Sequence, residues 1–557
     1  MRIESFIARQ PGRWSGALRR CVLLALIVTL SGAGAPSGGC KPADDPSCAG
    51  GVACSEGQRC VLGEEDGQGM CVTTCDSSKS CGEATPVCDR QELFCRTCFP
   101  GEDAPCQLRD PQHPRCGGGH CVGCLSPRAD SAQATECQGR DRATPSLTPV
   151  CDQAQSTCRA CQRHSECDSG VCAKDGSGAS FGVPQGSCVP VEQVMVVNQE
   201  LCTSDGPVFC TLKQALAQID MKRRYIVVRK SAVASDFSDV QIGNQASHQQ
   251  YPITLIGPLA DGPPTSVSSP PLVNLGGDSS KDSLTITSSR VVVEGFPIRD
   301  GKAGIACQGA GAQVRVVRSF LSGNDTALLA TAGCSLTVEQ CWFGRGPDSS
   351  VFRGSLMNAR TVDVTASDFW VINSVLADNG DPRRVEGFGG VRVRSLSVGS
   401  RSRSGILNST FLQQNGLVKF GKRYQGVLCD VGVGDRLVVM NTLLWSDANL
   451  QPEEHYIDSM CGASLHHNAS NDPALNSMTA DKSLVLPMDA APFASATTRD
   501  LHLGPRLTVE GRSPSDSGLL VLDLAPDRIL APTTDMDGRP RAQAGGTISI
   551  GAYEPAP

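Results

Sequence analysis

The sequence predicts an all-β protein: a single-stranded right-handed parallel β-helix over residues 196–557 with an N-terminal helical cap, preceded by a small disulfide-rich repeat region. Three observations carry that prediction. Glycine (59) and proline (35) are plentiful while aromatic residues make up 4% of 557, a balance that suits a turn-rich extended chain. Beyond residue 220 one apolar pattern returns at offsets of 23, 22 and 26 residues. Twenty of the 29 cysteines lie between Cys48 and Cys188.

The chain begins with an export signal. Arg2, Arg9, Arg13, Arg19 and Arg20 precede "CVLLALIVTL" (21–30), an apolar run too short to span a bilayer. Two processing sites compete within 1–40. Ser37-Gly38-Gly39-Cys40 resembles a lipoprotein box, which would lipidate Cys40 and place the protein on the outer membrane or cell surface, held by a lipid anchor only. Ala33-Gly34-Ala35 fits ordinary secretory cleavage and leaves a secreted or periplasmic protein. The net charge of −7 argues against nucleic acid as a partner.

Residues 41–190 hold five four-cysteine sets: Cys48/54/60/71, Cys75/81/88/95, Cys98/106/116/121, Cys124/137/151/158 and Cys161/167/172/188. The CxxC pairs fall at the seams, and "PVCDRQELFCRTC" (86–98) aligns without a gap to "PVCDQAQSTCRAC" (149–161). Units this short cannot bury a core, so disulfides supply the stability. Export favours disulfides over zinc, and turn-like flanks disfavour redox chemistry. Three connectivities remain open within each unit. The array, with fragments such as "ECDSGVC" (166–172), resembles the cysteine-rich repeats of myxobacterial surface lipoproteins.

At the junction, Cys202 and Cys210 close a small loop before a short helix. Thr211 and Gln214 form a capping box, and Leu212, Ala215, Leu216 and Ile219 make one apolar face. The first rung of a β-helix exposes unpaired backbone and apolar residues, and this helix is placed to cover it.

The rungs read as apolar or small residues at relative positions 0, 2, 5 and 7. They are Val291/Val293/Phe296/Ile298, Val314/Val316/Ser319/Leu321, Leu336/Val338/Cys341/Phe343 and Val362/Val364/Ser367/Phe369. Two later copies are Ser404/Ile406/Ser409/Phe411 and Leu437/Val439/Thr442/Leu444, with "VRVRSLSV" (391–398) as a further rung or loop between. Period two is strand alternation, and the skip from 2 to 5 is a bend. Gly295, Asn408 and Asn441 sit at that bend, where a left-handed backbone is tolerated. An antiparallel sandwich would show spacings of about 8–12 residues instead.

"CTLKQALAQ" (210–218) resembles the cap segment of pectin-lyase-like β-helix proteins. "DMDGRPRAQAGGTISIGAYE" (535–554) resembles the ending of many exported bacterial β-helix proteins. "NDPAL" (471–475), "DLHL" (500–503) and "SPSDSG" (513–518) lie upstream in the family's order, so the resemblance covers roughly 196–554. It implies a fold that hosts lyases, hydrolases, adhesins and inert spacers.

Candidate sites follow from the register. Glu294, Arg315, Glu339 and Asp363 fall at outward positions of successive rungs. Carboxylates about 8–10 Å apart suit a hydrolase or, with Ca²⁺, a lyase. Arg383, Arg384, Arg392, Arg394, Arg401, Arg403, Lys419, Lys422 and Arg423 lie in a window whose one acid is Glu386, which suits an anionic partner. Trp342, Trp370 and Trp445 read as outward and could stack on sugar rings. If Cys40 is lipidated, an odd number of cysteines remains for pairing, and Cys341, facing inward, is the natural unpaired thiol; without lipidation parity is restored. The expectation is a surface-anchored, non-enzymatic binding or adhesion protein for acidic polysaccharide or another surface component. It needs no cofactor and no metal. A polysaccharide lyase or glycoside hydrolase and a structural spacer are the alternatives.

Overall fold

The computed structural model describes residues 55–122 and 149–174 in part, 137, 183–202, 208–229, 235–262, 273–345, 357–384, 386–397, 404–446, 453–475 and short pieces between 484 and 553. Residues 1–54, with Cys40, Cys48 and Cys54, and Cys124, Arg401 and Arg403 lie outside the described residues.

Parallel strands form three long sheets of 11, 10 and 9 strands. In one coil the chain visits each sheet in turn, as in Arg290–Glu294, Pro297–Arg299 and Ala303–Gln308, then pairs one rung on with Gln313–Val317, Phe320–Ser322 and Thr326–Thr331. The connectivity is that of a right-handed parallel β-helix. Inward residues stack in columns such as Val291, Val314 and Leu336, and one continuous apolar core results.

The first three rungs keep the expected register. The fourth does not. Leu336 pairs with Phe369, so the rung is Phe369/Val371/Ser374/Leu376. Val362 and Val364 lie on the third sheet, opposite Leu328 and Ala330. "VRVRSLSV" also enters the third sheet, through Phe388–Val393. Alternation has the same period on all three faces, and Ser367 follows left-handed Ala366 much as Ser374 follows left-handed Asn373. The slip therefore left no local trace in the sequence.

Two columns explain the bend. At position 4, Gly295, Arg318, Gln340, Asn373, Asn408, Asn441 and His467 all adopt positive φ. At position 5 a hydroxyl ladder accepts backbone N–H groups from the preceding rung: Phe296 to Ser319 Oγ (3.2 Å), Cys341 to Ser374 Oγ (3.1 Å) and Ser374 to Ser409 Oγ (3.2 Å). Cys341 takes its turn in that ladder, its Sγ 3.5 Å from the Ser319 nitrogen. It is the free cysteine among the described residues, as expected. Burial, with Glu339 nearby, pushes its thiol up to about 12. Native protein should therefore leave Cys341 unmodified by a thiol reagent at pH 8, with labelling appearing only in denaturant, read by mass spectrometry.

The cap forms as expected. Gln214 N donates to Thr211 Oγ1 (3.2 Å), and Gln214 Oε1 accepts from Thr211 N (3.1 Å) and Cys210 N (3.2 Å). Leu212, Ala215, Leu216 and Ile219 join the core. Cys202 and Cys210 are bonded. Replacing both with serine should lower stability by about 2 kcal/mol, since the closed loop is short, measured by denaturant unfolding against wild type.

Among the described residues the cysteine-rich region shows one connectivity: first to third and second to fourth. Cys75–Cys88 with Cys81–Cys95, Cys98–Cys116 with Cys106–Cys121, and Cys161–Cys172 with Cys167–Cys188 follow the rule, and so does Cys137–Cys158. Third and fourth cysteines oppose each other on an antiparallel pair, as in Cys88 with Cys95 and Cys116 with Cys121. Directly opposed side chains share one face, so both bridges leave the pair toward the same side.

Candidate functional site

The four catalytic candidates do not form one site. Glu294 and Glu339 occupy the same outward column of the first sheet, each paired to Val317 from opposite sides. Glu294 is nonetheless buried, because the fifth cysteine unit packs over it. Lys174 Nζ lies 2.8 Å from Glu294 Oε1, His164 Nε2 3.2 Å from Oε2, and Arg318 Nη1 3.6 Å from Oε1. His164 Nδ1 accepts from Cys172 N (3.1 Å), so the ring proton is on Nε2, facing the carboxylate. Burial alone would raise the Glu294 carboxyl, but His164 and Lys174 outweigh it and hold it at about 2. Lys174 is itself lowered, by burial first. Asp261 completes the dock by accepting the backbone N–H groups of His164 and Ser165. Val171, Ala173, Val183 and Val189 pack against Tyr225, Ile256 and Ala260 beside it.

Glu339 is engaged differently. Arg315 donates to it from Nε (3.1 Å) and Nη2 (2.7 Å), a two-pronged pair that leaves both partners partly exposed. Asp363 departs from the expected face altogether. It lies on the third sheet, buried, and accepts from Arg394 Nε (2.9 Å) and Nη2 (3.0 Å). The cause is the register slip at the fourth rung.

The tryptophans are corrected too. Trp342 and Trp445 point outward from the second sheet, but a C-terminal segment covers them with Phe493, Leu501, Met536 and Tyr553. Each is at most 2% exposed, so neither offers a face to a sugar. Arg541 fastens that segment. Its Nη2 donates to Asn373 Oδ1 (2.8 Å) and to the Gly551 and Ala552 carbonyls (3.0 Å each). Trp370 belongs to the first sheet and packs with Ile372, Leu407, Val438 and Met440. It also packs closely against Gly405 of the next rung, where an added Cβ would stand 2.9 Å from the indole.

Most described members of the basic window are paired with acids. Arg384 pairs with Asp325, Arg392 with Asp430 (3.0 Å), Arg394 with Asp363 and Glu386, Lys419 with Asp458 (2.9 Å) and Arg423 with Glu454 (3.6 Å). Arg383, 90% exposed at its side chain, reaches Asp381 at 3.9 Å. The acids come from neighbouring rungs, which a count along the sequence does not see.

Lys419, Lys422 and Arg423 of the basic window share one further feature. Leu417–Lys419 and Lys422–Cys429 form an antiparallel hairpin that leaves the third sheet. Its turn residues, Phe420 (φ 52°) and Gly421 (φ 76°), are both left-handed, a conformation bulky residues avoid. Beside it lies a cleft of about 380 Å³ lined by Lys422, His455, Ile457, Asp458, Ser459, Gly462, Ala463, Leu465 and Ala474. His455 Nδ1 faces Asp472 Oδ1 at 3.5 Å. Burial and the Asp458 carboxylate raise the Tyr424 phenol. "FGKR" (420–423), an aromatic-glycine turn with flanking bases, was the available sequence signal.

No protein-family model and no curated protein matches the sequence. Among solved structures, the pectin methylesterase from Aspergillus niger in deglycosylated form aligns at a TM-score of 0.25 and 12% identity, over 56% of this chain and 93% of that one. The fold rests on the strand pairing described above.

Proposed function

We propose that the chain is an exported, surface-anchored binding protein without catalytic activity, held through lipidated Cys40 and contacting an acidic polysaccharide or another surface component. The observation that supports this reading is the fate of the acids. Glu294 is sealed under the fifth cysteine unit, Glu339 is held by Arg315, and Asp363 faces another direction, held by Arg394. Two carboxylates flanking a bond, one protonated and one ionised, are what most glycoside hydrolases use, and these three do not supply them.

Native gels cast with polygalacturonate, alginate or neutral dextran test the reading on the full chain. Retarded migration in an acidic gel, with the polymer intact, is expected. A cleared zone behind the band would replace binding with cleavage. Unchanged migration in every gel would leave a structural spacer.

A further inference from the structure

We propose that the cleft beside the Phe420 hairpin is a binding site for an anionic sugar, with Lys422 as the group that meets its carboxylate, His455 Nε2 as an acceptor for a sugar hydroxyl and Phe420 at the tip of the adjoining hairpin. The inference rests on the binding reading above and gives that reading a place.

The charge argument comes first. Lys419 and Lys422 face each other directly across the hairpin. Opposed like charges destabilise a strand pair unless something neutralises them. Lys419 is neutralised: its ammonium meets Asp458 Oδ2 at 2.9 Å and the Cys429 carbonyl. Lys422 lines the cleft and has no ion pair among the described residues, whereas Arg384, Arg392, Arg394, Lys419 and Arg423 each have one. Asp458 is spent on Lys419 and on the Met460 N–H (3.0 Å), so it does not repel an incoming anion at full strength.

The ring of His455 adds direction. Its Nδ1 side is turned to Asp472, which is fixed by N–H groups of Tyr456 (3.0 Å) and Ala474 (2.8 Å). His455 lines the cleft, and with its Nδ1 proton toward Asp472 its Nε2 can accept from a sugar hydroxyl. The floor is apolar, from Ile457, Ala463 and Leu465, and the volume lies in the range of small-ligand sites, roughly 300–1,000 Å³. Phe420, 82% exposed, and Val418, 59% exposed, stand at the hairpin tip. A large apolar residue held left-handed and open to water costs stability, which is a reason to look for a bound partner. A bounded cleft of this size favours a discrete ligand over a flat membrane.

The test uses the full chain and trigalacturonate, followed by calorimetry at low salt, with neutral maltotriose and anionic phospholipid vesicles as further probes. Binding of trigalacturonate is expected, weakened at least tenfold by Lys422→Glu and several-fold by Phe420→Ser, with no response to maltotriose. Both side chains are exposed, so circular dichroism should be unchanged and neither variant should melt below wild type. If the acidic-polymer gel still retards Lys422→Glu and Phe420→Ser as it does wild type, the site is wrong and the binding function stands elsewhere. If wild type shows no retardation at all, the function itself falls. Vesicle binding without trigalacturonate binding would overturn the sugar in favour of a lipid surface.

Discussion

Glu294→Gln should destabilise the protein by about 3–5 kcal/mol, the usual result of removing one member of a buried ion pair. The variant keeps the shape and removes the charge, leaving Lys174 and Arg318 facing each other with Asp261, 3.9 Å from Lys174, as the remaining partner. The effect has a pH signature. The folded carboxyl sits at about 2, below its ordinary 4.5, so the stability it confers is full above pH 4.5. It is lost as pH falls through the folded value. The wild type should therefore lose about 3 kcal/mol more than the variant between pH 4.5 and 2. Denaturant melts at several pH values measure this. Parallel curves for the two proteins would show that the ion pair does not stabilise the dock. Hydrogen exchange adds a local readout, with Val171 and Ala173 losing protection before the core columns do.

Arg541→Ala should cost about 3 kcal/mol and release the C-terminal segment. The side chain is 2% exposed and satisfies the Asn373 side chain and two backbone carbonyls. Removing it leaves buried acceptors without donors. The optical consequence is specific, because that segment is what covers Trp342 and Trp445. Emission should shift to the red, and limited proteolysis should cut between 484 and 553 ahead of the β-helix. Arg541→Lys should recover only part of the loss, since an ammonium cannot serve a planar fork of acceptors. Unchanged emission in Arg541→Ala would show that the segment is held by its apolar contacts alone.

Much of the fold was legible because it repeats. Val291, Val314 and Leu336 announce their column by spacing, and Thr211 with Gln214 announces the cap. The bend position was legible at Gly295, Asn408 and Asn441, but not at Arg318 or Gln340, whose side chains give no hint of positive φ. The candidate sites failed for a different reason. Outward is not the same as exposed. Glu294 does point outward and lies under a unit some 120 residues earlier in the chain. Trp342 and Trp445 do point outward and lie under the C-terminal segment. Ion pairs escaped notice because a coil separates partners by whole rungs, as with Arg394 and Asp363, 31 residues apart, or Arg392 and Asp430, 38 apart.

The dock between Lys174, His164 and Glu294 also decides where mechanical load goes. Suppose tension arrives through the cysteine-rich region, as it would for a protein tethered at its N-terminal side. Without the dock it would run through residues 190–194 into the cap and peel rungs from the open end, one strand at a time. With the dock it enters broadside at the rungs of Ile256, Glu294 and Arg318, across several strands loaded together. Strands loaded together yield in shear, which resists force better than peeling. The Cys202–Cys210 loop and the cap helix then sit outside the load path, so they can seal the first rung without having to bear a pull.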